Sequence, residues 1–199
     1  MIAILDYGSG NLRSALRAFE QSGEEVLLTS DFQVALEADG LVVPGVGAFA
    51  ACMNGLKSVR GDELVRQRLT LSRPTLGICV GMQIFFTEGV EYGVHPGVGI
   101  WPERVEKLKA AVLPHMGWNT VTAPPESALF QGISGESFYF VHSYAVTQPQ
   151  SDSALLTFTE YGEKFLAAIE DGAFSATQFH PEKSGAAGLQ LIKNWVATL

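Results

Sequence analysis

Ile2-Ala3-Ile4-Leu5-Asp6-Tyr7-Gly8-Ser9-Gly10-Asn11-Leu12-Arg13-Ser14-Ala15-Leu16-Arg17-Ala18-Phe19 reads as a short buried strand, a glycine loop and a helix. Leu12, Ala15, Leu16 and Phe19 recur at i, i+3, i+4 and i+7, the apolar stripe of an amphipathic helix, and Gly23 is its expected C-terminal stop. Further strands and helices then alternate. Val26 to Thr29 reads as a second strand, and Ser30 with Gln33 fits a capping box for a short helix. Gly40 to Val43 and Thr75 to Ile78 read as the third and fourth strands, with helical segments over Ala48–Leu56 and Asp62–Leu71 between them. Alternation of strand and helix argues for a parallel sheet covered by helices on both faces.

The second half follows another rule. Phe138 to Val146, Leu155 to Thr159, Phe165 to Glu170 and Ala173 to Phe179 read as strands, the last two joined by a tight turn at Asp171-Gly172. A closing helix places Leu189, Ile192, Val196 and Leu199 on one face, with Ser184 as its cap. No repeat, low-complexity tract or linker interrupts the chain. The expected fold is α/β: residues 1–199 as a single three-layer domain with a mostly parallel central sheet, helices on both faces and additional antiparallel strands in the C-terminal half.

At 199 residues the chain suits one domain with a substantial core. Hydrophobic residues make up 47% and charged residues 17%, an ordered globular balance. The net charge of −8 comes from scattered acidic residues, and no cationic patch of the kind nucleic acid requires is visible. The longest apolar stretch, Leu76 to Phe86, is broken by Gln83 and too short to span a bilayer. The first strand begins at once with no basic leader, so no signal peptide is expected. Two cysteines, Cys52 and Cys79, are too few for a disulfide framework and suit a reducing cytoplasm. No His/Cys/Asp/Glu grouping has the spacing of a metal site.

Gly77-Ile78-Cys79-Val80-Gly81 falls where the fourth strand ends and a helix begins, the shape of a nucleophile elbow with cysteine in the serine position. Such a turn strains the nucleophile's backbone, and glycines two residues away on each side remove side chains that would collide across it. The first amides of the following helix favour a thiolate and can hold an oxyanion. A buried cysteine in a glycine-rich strand end is the bland alternative. Cys52, among Ala50, Ala51 and Met53, reads as a small helix hydrophobe.

Phe179-His180-Pro181-Glu182 supplies the missing partners. Proline favours an extended residue before it, and in an extended segment side chains at i and i+2 project to the same side. Glu182 can therefore hold one ring nitrogen of His180 while the other faces the thiol, the logic of a nucleophile, base and orienter. A surface His-Pro-Glu turn is the alternative. His142 at a strand end can line the pocket; His95 and His115 lie in loop-like stretches next to prolines.

With these residues in hand, the chain resembles the class I, triad-type glutamine amidotransferases through nearly its whole length. The cysteine elbow and His180-Pro181-Glu182 are shared across that superfamily. Asp6-Tyr7-Gly8-Ser9-Gly10-Asn11, Pro44-Gly45-Val46-Gly47 and His115-Met116-Gly117-Trp118-Asn119 narrow the resemblance to its histidine-biosynthesis branch, the glutaminase subunits of imidazole glycerol phosphate synthases. Val80 stands where leucine is common, at a position that acts through its backbone amide. The resemblance implies that Cys79 attacks L-glutamine, His180 shuttles protons and Glu182 holds the imidazole. It implies an oxyanion hole from the Val80 amide and an amide of the Gly45-Val46-Gly47 loop, at Val46 or Gly47. It also implies contacts to glutamine's α-groups from Gln83, Glu91, Ser143 and Tyr144, in a reaction that needs no cofactor. Nothing in the sequence reads as a site that would use the ammonia. The resemblance therefore implies a heterodimer with a cyclase subunit, a (βα)₈ barrel, docked on Asn11, Trp118, Tyr139 and Lys183, with no nucleic-acid or membrane partner.

Three rival readings remain at this level. A glutaminase subunit of pyridoxal phosphate or anthranilate synthesis would share the triad, although the pyridoxal type is expected to carry Gly-Gly-Glu-Ser-Thr, which is not found here. A stand-alone γ-glutamyl or small-peptide hydrolase would share it too. A catalytically silent binding module would not be expected to keep Cys79, His180 and Glu182 together.

Overall fold

Apolar four- to six-residue runs alternating with amphipathic segments give the first half its layers, in a computed structural model that describes residues 1–199. In chain order these are β1 (Ile2–Leu5), α1 (Leu12–Glu20), β2 (Val26–Thr29), α2 (Phe32–Glu37), β3 (Gly40–Gly45), α3 (Phe49–Ser58), α4 (Gly61–Thr70) and β4 (Thr75–Cys79). β2, β1, β3 and β4 pair in that order, all parallel. The chain steps outward from β1 to β2, then returns past β1 to β3. Right-handed crossovers in opposite directions put α1 on one face and α2, α3 and α4 on the other. The reversal between β1 and β3 is also the switch point beyond whose carboxyl ends a crevice forms.

The second half adds α5 (Val80–Gln83), β5 (Phe86–Gly89), β6 (His95–Pro96), β7 (Trp101–Lys107), β8 (His115–Thr120), β9 (Ser137–His142), β10 (Tyr144–Ala145), β11 (Leu155–Tyr161), β12 (Glu163–Asp171), β13 (Phe174–Thr177) and α6 (Gly185–Val196). β13 joins β4 in parallel; β12 and β11 follow antiparallel, completing a seven-stranded sheet. The expected hairpin between β12 and β13 forms with Gly172 at φ +59°. β10, β7, β5 and β6 form a four-stranded sheet, and β8 and β9 a two-stranded one. No helix is long and apolar enough to cross a membrane.

Several local readings need correction. Asp31, not Ser30, caps α2: its carboxylate accepts from Val34 N–H at 2.9 Å, because the helix starts one residue later than the capping box requires. The expected strand from Phe138 to Val146 breaks at Ser143, where the chain leaves β9's partner and pairs with β7 instead. His115 is not in a loop; it lies in β8 and is buried. α6 buries Gly188, Leu191, Ile192 and Trp195, with Trp195 edge-on to Phe19 at 5.8 Å; of the expected face only Ile192 is fully inside. Ser184 stands at the N-cap of α6, but its hydroxyl donates to the His180 carbonyl (2.6 Å) and accepts from Tyr139 N–H (2.9 Å).

Arg68 closes the sheet end away from the crevice. Fully buried, it donates to the carbonyls of Ala35, Leu36 and Ala38 at 2.9 Å each, to Pro74 at 2.6 Å, to Asp39 at 3.3 Å and to Thr75 Oγ1 at 3.1 Å. One guanidinium thus satisfies carbonyls that end α2 and precede β3 and β4, groups that burial without a donor would make costly.

Candidate active site

Cys79 ends β4 at φ +56°, ψ −113°, a conformation rare for a residue with a side chain. The strain is held by packing of backbone on backbone. A Cβ on Gly81 would stand 1.9 Å from the Val43 carbonyl oxygen, and one on Gly45 would stand 2.4 Å from Gly81 N. Glycine at these positions lets β3 and the elbow approach closely enough to fix the turn.

β13 brings the second half of the site alongside. His180 is extended (φ −100°, ψ 97°), and Pro181–Lys183 then forms a single 3₁₀ turn rather than the fully extended segment expected. The turn still carries Glu182 back to His180: Nδ1 and Oε1 are 2.8 Å apart, and both side chains are buried. His180 Nε2 makes no hydrogen bond in the resting structure and is free to serve the thiol. Burial alone would lower the pKa of this ring. The adjacent Cys79 sulfur and the Glu182 carboxylate outweigh it and push the imidazole up to about 10. The site therefore favours a protonated ring beside the Cys79 sulfur, the pairing that nucleophilic cysteine chemistry uses.

Cys79 and His180 open on a cleft of about 610 Å³ that also contains Gln83, Glu91, Ser143 and Tyr144, so the four residues expected to hold a ligand converge here. Gln83 Nε2 donates inward to the Tyr144 carbonyl (2.8 Å) and to Gln178 Oε1 (3.0 Å). Its Oε1 is left to accept from a ligand. Glu91 Oε2 accepts from Phe49 N–H at the start of α3 (2.9 Å), leaving its other oxygen unengaged. Tyr92, 92% exposed, stands at the rim. A shallower groove of about 310 Å³ at Asn119, Thr159 and Lys164 contains neither Cys79 nor His180.

The loop after β3 has a defined resting state. Val46 N–H donates to Ser9 Oγ (3.1 Å), and Val46 O lies 3.0 Å from Ser9 Oγ and 3.2 Å from Cys52 Sγ. The Val46 N–H therefore faces the loop after β1 and not the cleft. Gly47 has φ +84° and lines the cleft, and Val80 follows Cys79 at the start of α5.

Of the other residues singled out in the sequence, Trp118, Tyr139 and Lys183 gather around the Pro181–Lys183 turn. Asn11 caps α1 through its side chain, 3.4 Å from Ser14 N, and is exposed. Trp118 is 59% exposed and stacks edge-on against its cross-strand neighbour Tyr139 at 6.1 Å. Lys183 lines the cleft beside Glu182. Tyr139 is also joined to His180, whose N–H its carbonyl accepts at 2.9 Å.

Sequence reasoning missed Ser9, Gln178 and the polar contacts of Cys52. Gln178 had a usable signal: it lies two residues before His180, so the same i, i+2 argument that found Glu182 places it on the nucleophile's side. Ser9 and Cys52 had none, because both meet Val46 only through loop packing.

A family model described as Glutamine amidotransferase class-I matches residues 3–199. The protein named imidazole glycerol phosphate synthase subunit HisH of Nocardia farcinica is 59% identical over 206 residues, spanning 100% of this chain and 98% of the relative. Its namesake in Thermobifida fusca is 58% identical over 207 residues, with 100% and 98% covered. Among solved structures, one described as a glutamine amidotransferase superposes with a TM-score of 0.78 at 18% identity, covering 100% of this chain and 99% of that one, a likeness of fold.

Proposed function

The chain belongs to the class I glutamine amidotransferase family, and on that premise we propose that residues 1–199 form the glutaminase subunit of an imidazole glycerol phosphate synthase. The observation that carries the chemistry is the strained Cys79 sharing a cleft with His180, whose free Nε2 and Glu182-held Nδ1 suit a base.

The Cys79 thiolate attacks the carboxamide carbon of L-glutamine. A carbon–sulfur bond forms, the carbonyl oxygen becomes an oxyanion, and the carbon–nitrogen bond breaks as His180 gives its proton to the departing ammonia. Water then adds to the γ-glutamyl thioester while His180 takes its proton; the carbon–sulfur bond breaks, glutamate leaves and the thiolate returns. Glu182 keeps the imidazole in the orientation and charge state both steps need. Val80 N–H is one oxyanion donor. Val46 N–H is the second once its peptide turns from Ser9, or Gly47 N–H serves instead. An absent donor of this kind costs about 10²–10³-fold in rate. Gln83 Oε1 and the unengaged Glu91 oxygen are acceptors, fitting glutamine's α-ammonium, and Ser143 and Tyr144 complete the grip on its α-groups.

Ammonia passes to a cyclase subunit with a (βα)₈ barrel, docked on Asn11, Trp118, Tyr139 and Lys183, in the cytoplasm. Exposed Trp118 suits an interface anchor. Tyr139 and Ser184 tie that face to the His180 backbone, so docking can be felt at the base and can bias the Val46 peptide. The test is glutamate production by the pure chain, alone and with the liganded cyclase. Slow basal hydrolysis and strong stimulation are expected. Full activity in the lone chain defeats the coupled reading, and absence of glutamine hydrolysis in both states defeats the glutaminase reading.

A further inference from the structure

The geometry points to Gln178 as a further catalytic residue, one that donates an amide hydrogen to the Cys79 sulfur and is held in that orientation by Gln83. Gln178 is fully buried just after β13, and its own N–H donates to the Ala167 carbonyl at 2.8 Å. Its Nε2 lies 3.8 Å from Cys79 Sγ, within reach of an N–H···S contact, and its Oε1 accepts from Gln83 Nε2 at 3.0 Å.

Which end of the amide faces the sulfur follows from a chain of forced directions. The Tyr144 carbonyl can only accept, so Gln83 must present Nε2 to it, at 2.8 Å. The second hydrogen of that Nε2 goes to Gln178, which must then offer Oε1 to Gln83 and Nε2 to Cys79. The Tyr144 carbonyl also lies 2.9 Å from His142 Nδ1, which must therefore be a donor; His142 Nε2 then accepts from His115 Nδ1–H at 3.2 Å. Burial holds both rings neutral, His115 at about 4 and His142 at about 3, so these tautomers persist at neutral pH. Reversing Gln178 would set two amide NH₂ groups against each other and a carbonyl oxygen against the sulfur at which negative charge develops in the reaction. In a buried site that leaves donors unmatched and is strongly disfavoured.

The contact acts where charge appears on sulfur. It stabilises the thiolate before attack, and it stabilises the same thiolate as it leaves the tetrahedral intermediate when water cleaves the thioester. No atom of Gln178 is consumed. Hydrogen bonds to charged groups contribute on a scale that corresponds to about 10- to 100-fold in rate.

The inference rests on Cys79 being the reacting thiol, and its deciding readout, alkylation, does not require glutamine. Gln178→Met keeps the volume and removes the donor; Gln178→Glu keeps the shape and places a carboxylate oxygen against the sulfur. The full chain is alkylated with iodoacetamide from pH 5 to 10, and peptide mapping follows Cys79 separately from buried Cys52. In Gln178→Met the pH at half-maximal alkylation rate should rise by about one unit. Its kcat for glutamine, measured with the cyclase, should fall about 10- to 100-fold with KM changed less than about threefold. Gln178→Glu should alkylate more slowly than wild type at pH 7, and it decides the matter should the Met variant fail to fold by circular dichroism. An unshifted midpoint in folded Gln178→Met, or wild-type alkylation at pH 7 in Gln178→Glu, overturns the assignment. A wild type that alkylates normally yet never hydrolyses glutamine would instead refute the glutaminase reading.

Discussion

Ser9→Ala should raise the basal glutaminase rate of the isolated chain, a gain of activity from removing a polar side chain. Ser9 Oγ accepts from Val46 N–H at 3.1 Å and lies 3.0 Å from Val46 O, so both polar ends of one residue are held by one hydroxyl. Cys52 Sγ, 3.2 Å from Val46 O, survives the substitution and retains part of the hold. The loop is exposed, and water replaces part of what Ser9 supplies. The resting orientation then loses about 1 kcal/mol net relative to the turned one, the scale of a single neutral hydrogen bond. That multiplies a minor turned population by about five. Basal turnover should therefore rise about fivefold, while turnover in the complex should change by less than about twofold if docking, as proposed, favours the turned peptide. Ser9→Thr, which keeps the hydroxyl, should remain near wild type, and adding Cys52→Ala to Ser9→Ala should raise the basal rate again. The assay is steady-state glutamate release by each variant, with and without the liganded cyclase. An unchanged or lower basal rate in folded Ser9→Ala would refute the claim that Ser9 restrains the oxyanion loop.

Other expectations follow from the same geometry. His115 and His142 ionise near 6.5 in the unfolded chain and only near 4 and 3 when folded, so the unfolded state binds the extra protons and stability falls as pH drops below about 6.5. The slope should approach about 1.4 kcal/mol per pH unit for each histidine, measured by urea unfolding from pH 7 to 4.5, and His115→Phe/His142→Leu should flatten it. Arg68→Met should strand the Ala35, Ala38 and Asp39 carbonyls, while Leu36 keeps Arg73 and Pro74 keeps Leu41 N–H, and lower stability by about 3–5 kcal/mol in the same unfolding assay, with Cys79 alkylation unchanged in the folded protein. Trp118→Ala should weaken cyclase binding by about 30-fold in calorimetry, the size of an interface anchor, and Lys183→Ala should reduce stimulation of glutamine turnover. Unchanged affinity and stimulation in both would remove the proposed docking face.

The parallel half of the fold was legible because every strand there is a short apolar run and every helix has a 3.6-residue stripe; β1 and α1 follow the first eighteen or so residues almost position for position. The region from Phe86 to Thr120 was not legible. β5, β6 and β7 are short, lie among glycines and prolines, and acquire their pairing only from one another and from β10. His115 looked like a loop residue because its cover, Tyr161 at 4.1 Å and Phe140 at 4.9 Å, comes from other strands. At the site, Cys79, His180 and Glu182 could be read because local backbone rules, a glycine-flanked elbow and a proline-set turn, place them. The direction of the Val46 peptide could not, since it depends on Ser9 and Cys52 meeting it across a loop.

The most direct test of the central claim is Cys79→Ala assembled with the cyclase, assayed for cyclised product with glutamine and, separately, with added ammonium salt. Product should vanish with glutamine and persist with ammonia, because the substitution removes only the nucleophile that releases nitrogen from the carboxamide. Near wild-type product formation from glutamine in that variant would contradict the account.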